Sequence, residues 1–335
     1  MSEVKQLELF DEEQRKKDIS TIDQLFKDVK RYRKGEEFQR KLEFYSRFPY
    51  LGVYNAELVS QQRPGARFVL TAKRWAEEYN RKIKTNARPL IILIPFYPVD
   101  FLFDITDTKP IDYTRKVEDN YIIERIINQF IAKSMHPTGY YMEKLWTNMK
   151  KNGIFFNDRY IGGSELLAEI REDQSETLFV PVYKDLDIPH HSYFSLSVNA
   201  YANEAEKLAL VFHELGHLFC HHFNCSWWEG RDCSKNEKEF EAETVSYLVC
   251  KRLGIHSHSI EYLANYLDKN GLIPEISAEL VFQAVDIIQS MASGYMNIID
   301  CQLYKHDKEF KRKVDIEREK RKEEKEKEKA LKQSL

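Results

Sequence analysis

The sequence predicts an α+β protein, with a small mixed N-terminal domain, a larger and mainly helical domain with a short sheet, and a charged C-terminal helix. A bounded, β-branched apolar run at Pro89–Pro95 is typical of a buried strand. Apolar residues recur at helical spacing within 117–150, and a period-2 alternation at Tyr193–Val198 indicates another strand. The 335 residues suit roughly two domains with tails.

The first two segments are a helical arm at 1–45 and a small α+β domain at 46–115. The arm is predicted from apolar residues at helical spacing after Ile22. Thr71 is expected to cap a helix that buries Trp75. The elements expected in the small domain are helices at 50–62 and 71–80 and strands at 67–70, 89–95 and 101–105.

The next two segments are the larger domain at 116–300 and a charged helical tail at 301–335. Few apolar residues follow Ile316, so the tail is predicted to be a solvated helix rather than a coiled coil. The elements expected in the larger domain are helices at 117–149 with a break at 137–139, from 203, at 236–253 and at 257–295 with a break at 270–271, together with strands at 178–183 and 193–198.

Composition predicts a cytoplasmic protein. Five cysteines are an odd number, which argues against a secreted disulfide scaffold. Residues 1–30 contain no apolar segment of a signal peptide, and no run approaches the length of a membrane span, so no membrane partner is expected.

One motif carries the predicted chemistry. Residues 213–217 read His-Glu-Leu-Gly-His, which matches H-E-x-x-H. Residues four apart lie on one face of a helix, so His213 and His217 are predicted to bind one Zn²⁺ through imidazole nitrogens. Glu214 is predicted to be the general base, which takes a proton from the attacking water and returns it to the leaving amine.

The third zinc ligand is expected from the next helix. A catalytic zinc usually keeps three protein ligands and one open position. Glu239 and Glu243 share a helical face, whereas Glu241 points elsewhere. We predict that Glu239 binds the metal and that Glu243 hydrogen-bonds a ligating histidine, and the swapped assignment stays open.

The strand before the motif is predicted to be a sheet edge that aligns an extended peptide substrate through Tyr193, Ser195 and Ser197. The oxyanion stabiliser is not identified; His190, His191, Tyr193 and Tyr201 are weighed for it. A cluster after the motif is interpreted as a loop with free thiols, with a second zinc site as the alternative; it contains Cys220, His221, His222, Cys225 and Cys233.

The motif together with Glu239-Phe-Glu-Ala-Glu243 resembles the ImmA/IrrE-like gluzincins, and within them the metallopeptidase domain of ArdC-type antirestriction proteins. The resemblance continues through 242–255 and 262–267. It implies a zincin-like fold for 116–300. In that family the ligand Glu and an acidic or amide residue stand four apart, which supports Glu239 as the ligand.

Upstream segments resemble the ArdC N-terminal domain, which in that family is associated with single-stranded DNA binding. They are Tyr54-Asn55-Ala56, Gln62–Ala66, Trp75, Pro89–Pro95, Phe103–Ile105 and Thr108. The family's Lys-Gly turn instead reads Lys84-Thr-Asn86-Ala here. Residues 46–90 hold nine Lys/Arg against three acids in a chain of net charge −3. The predicted phosphate contacts are Arg63, Arg67, Lys73, Arg74, Arg81 and Lys82.

Three functions follow from these patterns. The first is a zinc-dependent endopeptidase that cleaves a specific protein partner, in regulation, defence or antirestriction. The alternative is a single-stranded-DNA-binding, antirestriction-type protein whose zinc site is structural or vestigial. The third is a subunit that docks on a partner protein through its N- and C-terminal helices.

Overall fold

The computed structural model describes residues 35–94, 97–111, 124–128, 135–160, 167–256, 263, 265–294 and 296–333. Helices and short sheets are mixed along the chain, so the predicted α+β class is confirmed. The predicted arm before residue 35 lies outside the described residues, as do much of the helix predicted between 117 and the break at 137–139 and the segment 257–262.

The helices are α1 Gly35–Ser46, α2 Val53–Gln62, α3 Ala72–Tyr79, α4 Thr138–Lys151, α5 Glu204–Phe219, α6 Lys235–Leu253, α7 Ala278–Ser293, α8 Gln302–His306 and α9 Lys308–Gln333. The strands are β1 Val69–Thr71, β2 Arg81–Ile83, β3 Leu90–Ile94, β4 Tyr97–Asp104, β5 Thr108–Pro110, β6 Ile154–Tyr160, β7 Ala168–Glu172, β8 Thr177–Tyr183, β9 Leu186–His191 and β10 Phe194–Asn199. Within the described part of the chain, no helix has the length and apolar character needed to cross a membrane.

The chain divides into two compact units, and each is assembled from two separate stretches. As far as they are described, Met1–His136 and Ser234–Asp286 form the first unit, and Pro137–Cys233 and Ile287–Leu335 form the second. The boundary between Asp286 and Ile287 lies inside α7. The predicted domains are contiguous in sequence, whereas these units are not: α6, which the sequence assigns to 116–300, belongs to the first unit.

In the first unit, β1, β4 and β3 form an antiparallel sheet whose outer strand β3 is covered by α2. The amide of Asn55 donates to Leu93 O (2.8 Å) and accepts from Leu93 N (3.0 Å). Two helical turns later, the amide of Gln62 makes the same pair of bonds with Ile91, at 2.8 Å each. These side chains stand in for a neighbouring strand and protect the edge of the sheet.

The short helix α3 closes the core of this unit. Thr71 Oγ1 accepts from Arg74 N at 3.3 Å, so the predicted cap is confirmed. Trp75 is fully buried, as predicted, and packs with Phe68 and Leu70. Its indole N–H donates to Phe103 O at 2.8 Å, which satisfies the one polar atom of this side chain.

In the second unit, β10 is the central strand of a three-stranded sheet, parallel to β6 and antiparallel to β7. The predicted strand at 193–198 is therefore confirmed, but its predicted edge position is wrong, because both of its sides are already paired. Neither β6 nor β7 is predicted from the sequence. Among the described strands of this sheet, β6 and β7 are the outer ones.

The hairpin of β8 and β9 packs against the beginning of α9. Leu178, Val180 and Val182 alternate toward the core, where they meet Phe310 and Val314 of the helix. The C-terminal helix is confirmed, but its first turns are part of the core of this unit rather than a solvated tail. Farther along, Arg321 pairs with Asp185 at 2.9 Å on the surface.

Replacing Phe310 by Ala should lower the free energy of unfolding by about 3–5 kcal/mol, because a fully buried aromatic ring leaves a cavity. Ile316→Ala, on the same helix but 45% exposed, is the matched control and should change stability by no more than about 0.5 kcal/mol. Urea unfolding of both variants measures the difference. Equal effects would show that α9 is not docked through its first turns.

Candidate metal centre

Helix α5 places the H-E-x-x-H motif at its C-terminal end. Its N-terminus is fixed by a capping box, in which Asn203 Oδ1 accepts from Glu206 N and Glu206 Oε2 accepts from Asn203 N, both at 3.0 Å. The helix buries an apolar face made of Leu208, Val211, Phe212, Leu215, Leu218 and Phe219. The three functional side chains of the motif are only partly buried. The helix is therefore held by its apolar residues, while the polar ones remain accessible.

The two motif histidines converge as predicted. The Nε2 atoms of His213 and His217 lie 3.1 Å apart, with ring centroids separated by 4.8 Å. Two ligands on a tetrahedral ion with bonds of about 2.0–2.1 Å stand roughly 3.3 Å apart. The described residues thus contain groups of His, Cys, Asp and Glu that could hold a metal ion, and this pair belongs to one of them.

The carboxylate of Glu214 is held beside the pair by the neighbouring sheet. Its Oε2 accepts a hydrogen bond from Ile170 N of β7 at 3.1 Å. Bonds to a charged acceptor are among the stronger ones in proteins, and a backbone donor cannot rotate away. The carboxylate is therefore oriented by an outer strand of the sheet, next in sequence to a predicted ligand.

His222 is a further residue of this centre whose role the sequence did not indicate. Its Nδ1 lies 2.8 Å from Nδ1 of His217, so one of these two atoms donates and the other accepts. The chain reverses at His221, whose φ is 57°, and His222 N then donates to His217 O at 3.0 Å. Only 3% of His222 is exposed. This buried contact fixes the ring of His217 with Nε2 directed toward His213.

The loop after α5 is held together by aromatic stacking. Trp228 stacks on His221 at 4.5 Å, and Trp227 packs against Tyr193 at 4.6 Å. The described cysteines form no disulfide bond, which agrees with the predicted thiol loop. Among the described residues, Cys220 and His222 of this cluster belong to a group of ligands that could hold a metal ion, whereas Cys225 and Cys233 belong to none, so a second zinc here stays a prediction.

The predicted third ligand, Glu239, lies on α6 in the first unit. Burial raises the pKa of Tyr266, and the charges of Glu239 and Glu243 raise it further. Because α6 is helical from Lys235 to Leu253, residues four apart on it share a face. Glu241 is fully buried, and its Oε1 accepts from Ser277 N at 2.6 Å. The shared face of Glu239 and Glu243 is confirmed; which of them binds metal stays a prediction.

The predicted substrate-binding residues Tyr193, Ser195 and Ser197 need correction. Ser195 and Ser197 lie on the central strand β10, which has no free edge for a peptide. The hydroxyl of Tyr193 donates to Asp307 Oδ2 at 2.5 Å. Sequence alternation identifies a strand but not its neighbours, and this explains the error.

The candidate oxyanion stabilisers lie in different environments. His190 is buried, and its Nε2 lies 3.0 Å from Asp307 Oδ2. Burial lowers the pKa of His190 below its ordinary 6.5, against the opposing effect of Asp307. Asp307 thus engages both His190 and Tyr193, whereas Tyr201 is 81% exposed.

The predicted nucleic-acid contacts are mostly engaged inside the first unit. Arg81 is buried and donates through Nε to Thr108 Oγ1 at 2.6 Å, so its predicted phosphate contact is wrong. Lys73 and Lys82 are exposed. The remaining three form ion pairs, which are Arg63 with Asp107, Arg67 with Glu124 and Arg74 with Glu78. Phe68 and Trp75, which are interleaved with these basic residues in sequence, lie in the core of the unit.

Comparison with known proteins identifies a distant relative. The chain is 23% identical over 320 residues to an uncharacterized Bacillus anthracis protein designated pXO2-81. The match covers 86% of this chain and 52% of that protein, so the chain spans about half the length of its relative. No family model matches the chain, and no solved structure matches it.

Substituting His222 by Ala should weaken divalent-metal binding roughly 10–100-fold, because the ring of His217 loses the partner that orients it. His221→Asn is the matched control, since asparagine tolerates the left-handed backbone and His221 stacks on Trp228 instead. Competition titration with a chromophoric chelator measures both affinities. Unchanged affinity in His222→Ala would contradict the orienting role.

Proposed function

We propose that this protein is a zinc-dependent endopeptidase that cleaves a specific protein partner, in a regulatory, defence or antirestriction role. The observation that carries the proposal is the convergence of His213 and His217 with the oriented carboxylate of Glu214 between them in sequence. Two imidazoles and an adjacent carboxylate that does not share their face are the elements that metal-assisted peptide hydrolysis requires.

The proposed ligands are His213, His217 and Glu239. Imidazole and carboxylate donors suit zinc in a catalytic site, where three protein ligands leave one position open. The sequence spacing and the family resemblance favour Glu239, with Glu243 as the residue that hydrogen-bonds a ligating histidine. His222 is already in a position to orient His217.

In the proposed mechanism, Glu214 is the residue that transfers the proton. A bound zinc ion would supply Lewis-acid activation of water and of the scissile carbonyl. Glu214 takes the proton from the attacking water and delivers it to the leaving amine nitrogen. The hydrogen bond from Ile170 N orients the carboxylate of Glu214 that exchanges the proton.

Strand β7 supports the alignment of an extended substrate. It is an outer strand among those described in its sheet, it contacts α5, and its Ile170 N reaches Glu214. A peptide that lies along this strand would use backbone hydrogen bonds for affinity and side-chain contacts for selectivity. Its scissile bond would then pass close to the general base.

Single-stranded DNA binding has weaker support. It rests on the family resemblance of 46–115 and on local positive charge, whereas Arg81, Phe68 and Trp75 are buried. If DNA binding is the function, Lys73→Glu combined with Lys82→Glu should weaken binding of a fluorescent oligonucleotide, with a steep salt dependence. Loss of DNA binding in that variant, with no effect of Glu214→Gln on any activity, would favour this alternative.

Glu214→Gln should retain zinc and reduce peptide hydrolysis about 10²–10⁴-fold, because an amide cannot accept the proton. A fluorogenic peptide library measures hydrolysis, and elemental mass spectrometry measures zinc. Glu204→Gln, on the exposed first turn of the same helix, is the matched control and should keep full activity. Hydrolysis that survives Glu214→Gln would exclude the assigned general base.

Glu239→Ala should abolish stoichiometric zinc at this centre, whereas Glu243→Ala should only weaken it. Elemental mass spectrometry after dialysis against a weak chelator distinguishes the two variants. The opposite ranking would exchange the roles of the two glutamates. Full zinc retention in both would show that α6 contributes no ligand.

A further inference from the structure

A second cluster of potential metal ligands lies within the second unit, at the junction of β9 and α9. Strand β9 ends with His190 and His191, and Asp307 immediately precedes α9. Asp307 caps this helix, because its Oδ1 accepts from Phe310 N at 2.7 Å. These residues belong to neither the H-E-x-x-H motif nor the loop that follows it.

The donor atoms of this cluster lie close to one another. The Nε2 atom of His190 lies 3.0 Å from Asp307 Oδ2, and the two imidazole centroids are 4.3 Å apart. One nitrogen from each histidine and one carboxylate oxygen all lie within 4.8 Å of one another. Ligands of a tetrahedral ion stand roughly 3.3 Å apart, so small side-chain rotations bring all three into bonding range.

Hydrogen bonding alone does not account for this convergence. Consecutive strand residues normally point to opposite faces, yet His190 and His191 approach the same carboxylate. His190 and Tyr193 are both hydrogen-bonded to Asp307 Oδ2. Among the described residues, the side chain of His191 makes ring contacts with His190 and Tyr193 but no hydrogen bond, and the residue is exposed. Its nitrogen is therefore accessible to a ligand from solvent.

Hydrogen bonds from two other residues orient the carboxylate of Asp307. Phe310 N and the hydroxyl of Tyr193 donate to its two oxygens, at 2.7 and 2.5 Å. Such donors orient carboxylate ligands in protein metal sites and reduce the freedom that metal binding must freeze. Only 8% of Asp307 is exposed, which limits competition from bulk water on that side.

We propose that His190, His191 and Asp307 form a second divalent-metal site, which binds zinc with two imidazoles, one carboxylate and a water at the open position. The ion clamps the end of β9 to the first turn of α9. That turn already packs on the hairpin through Phe310, so the site would stabilise the docking of the C-terminal helix. This inference does not depend on the proposed peptidase function.

The test separates the two sites by variant. The full chain carrying His213→Ala and His217→Ala should still bind one equivalent of Co²⁺, with the visible absorption of a tetrahedral His-carboxylate site, and one equivalent of Zn²⁺ by calorimetry. Adding His191→Ala should weaken that binding at least tenfold, whereas His256→Ala, another exposed histidine, should not change it. Zinc should raise the unfolding temperature of the double variant but not of the triple variant.

Absence of metal binding in the folded double variant would overturn the proposal, as would binding that His191→Ala leaves intact. If the double variant fails to fold, His191→Ala alone in the otherwise natural chain tests the proposal. It should lower the zinc content by one equivalent, and an unchanged content would again overturn the proposal. Failure of the peptidase proposal gives a different result, because the zinc equivalent that depends on His191 would still be bound.

Discussion

The packing of helix α5 on the sheet of β6, β10 and β7 is the interaction on which the candidate centre depends. The helix contacts both β7 and β10, and its apolar face is buried. Each buried Leu, Val or Phe side chain contributes roughly 1.5–3 kcal/mol, so six of them far outweigh any single hydrogen bond in the site. Packing therefore fixes where the histidines lie. The weaker polar contacts, Ile170 with Glu214 and His222 with His217, then fix the orientation of the reactive groups.

Much of the fold could be predicted because periodicity is a local property. Thr71 and Asn203 begin helices as expected, and the strand at 193–198 exists. The neighbours of that strand could not be predicted, because alternation reveals which faces are buried but not which edges are paired. Asn55 and Gln62 illustrate the same limit: as amides at helical spacing they look like surface residues, yet they complete the edge of β3.

The candidate site, too, could be predicted from the sequence only in part. His213 and His217 could be predicted because four residues on a helix return to one face, a geometry that follows from the sequence itself. The contact of His222 depends on the left-handed turn at His221, which no motif encodes. The convergence of His190 and His191 on Asp307 joins positions more than a hundred residues apart, so only the folded chain reveals it. Arg81 illustrates the opposite error: its position in a basic segment suggests a phosphate contact, whereas its side chain is buried and donates to Thr108.

The central claim is that the motif histidines hold zinc with a carboxylate and without sulfur. Zinc X-ray absorption spectroscopy of the His191→Ala protein, in which the second site lacks a ligand, tests this directly. The account predicts nitrogen and oxygen scatterers at about 2.0–2.2 Å, with imidazole multiple scattering from two rings. A sulfur shell at about 2.3 Å would assign the metal to the cysteine-bearing loop instead, and a protein that takes up no zinc would contradict the metallopeptidase proposal.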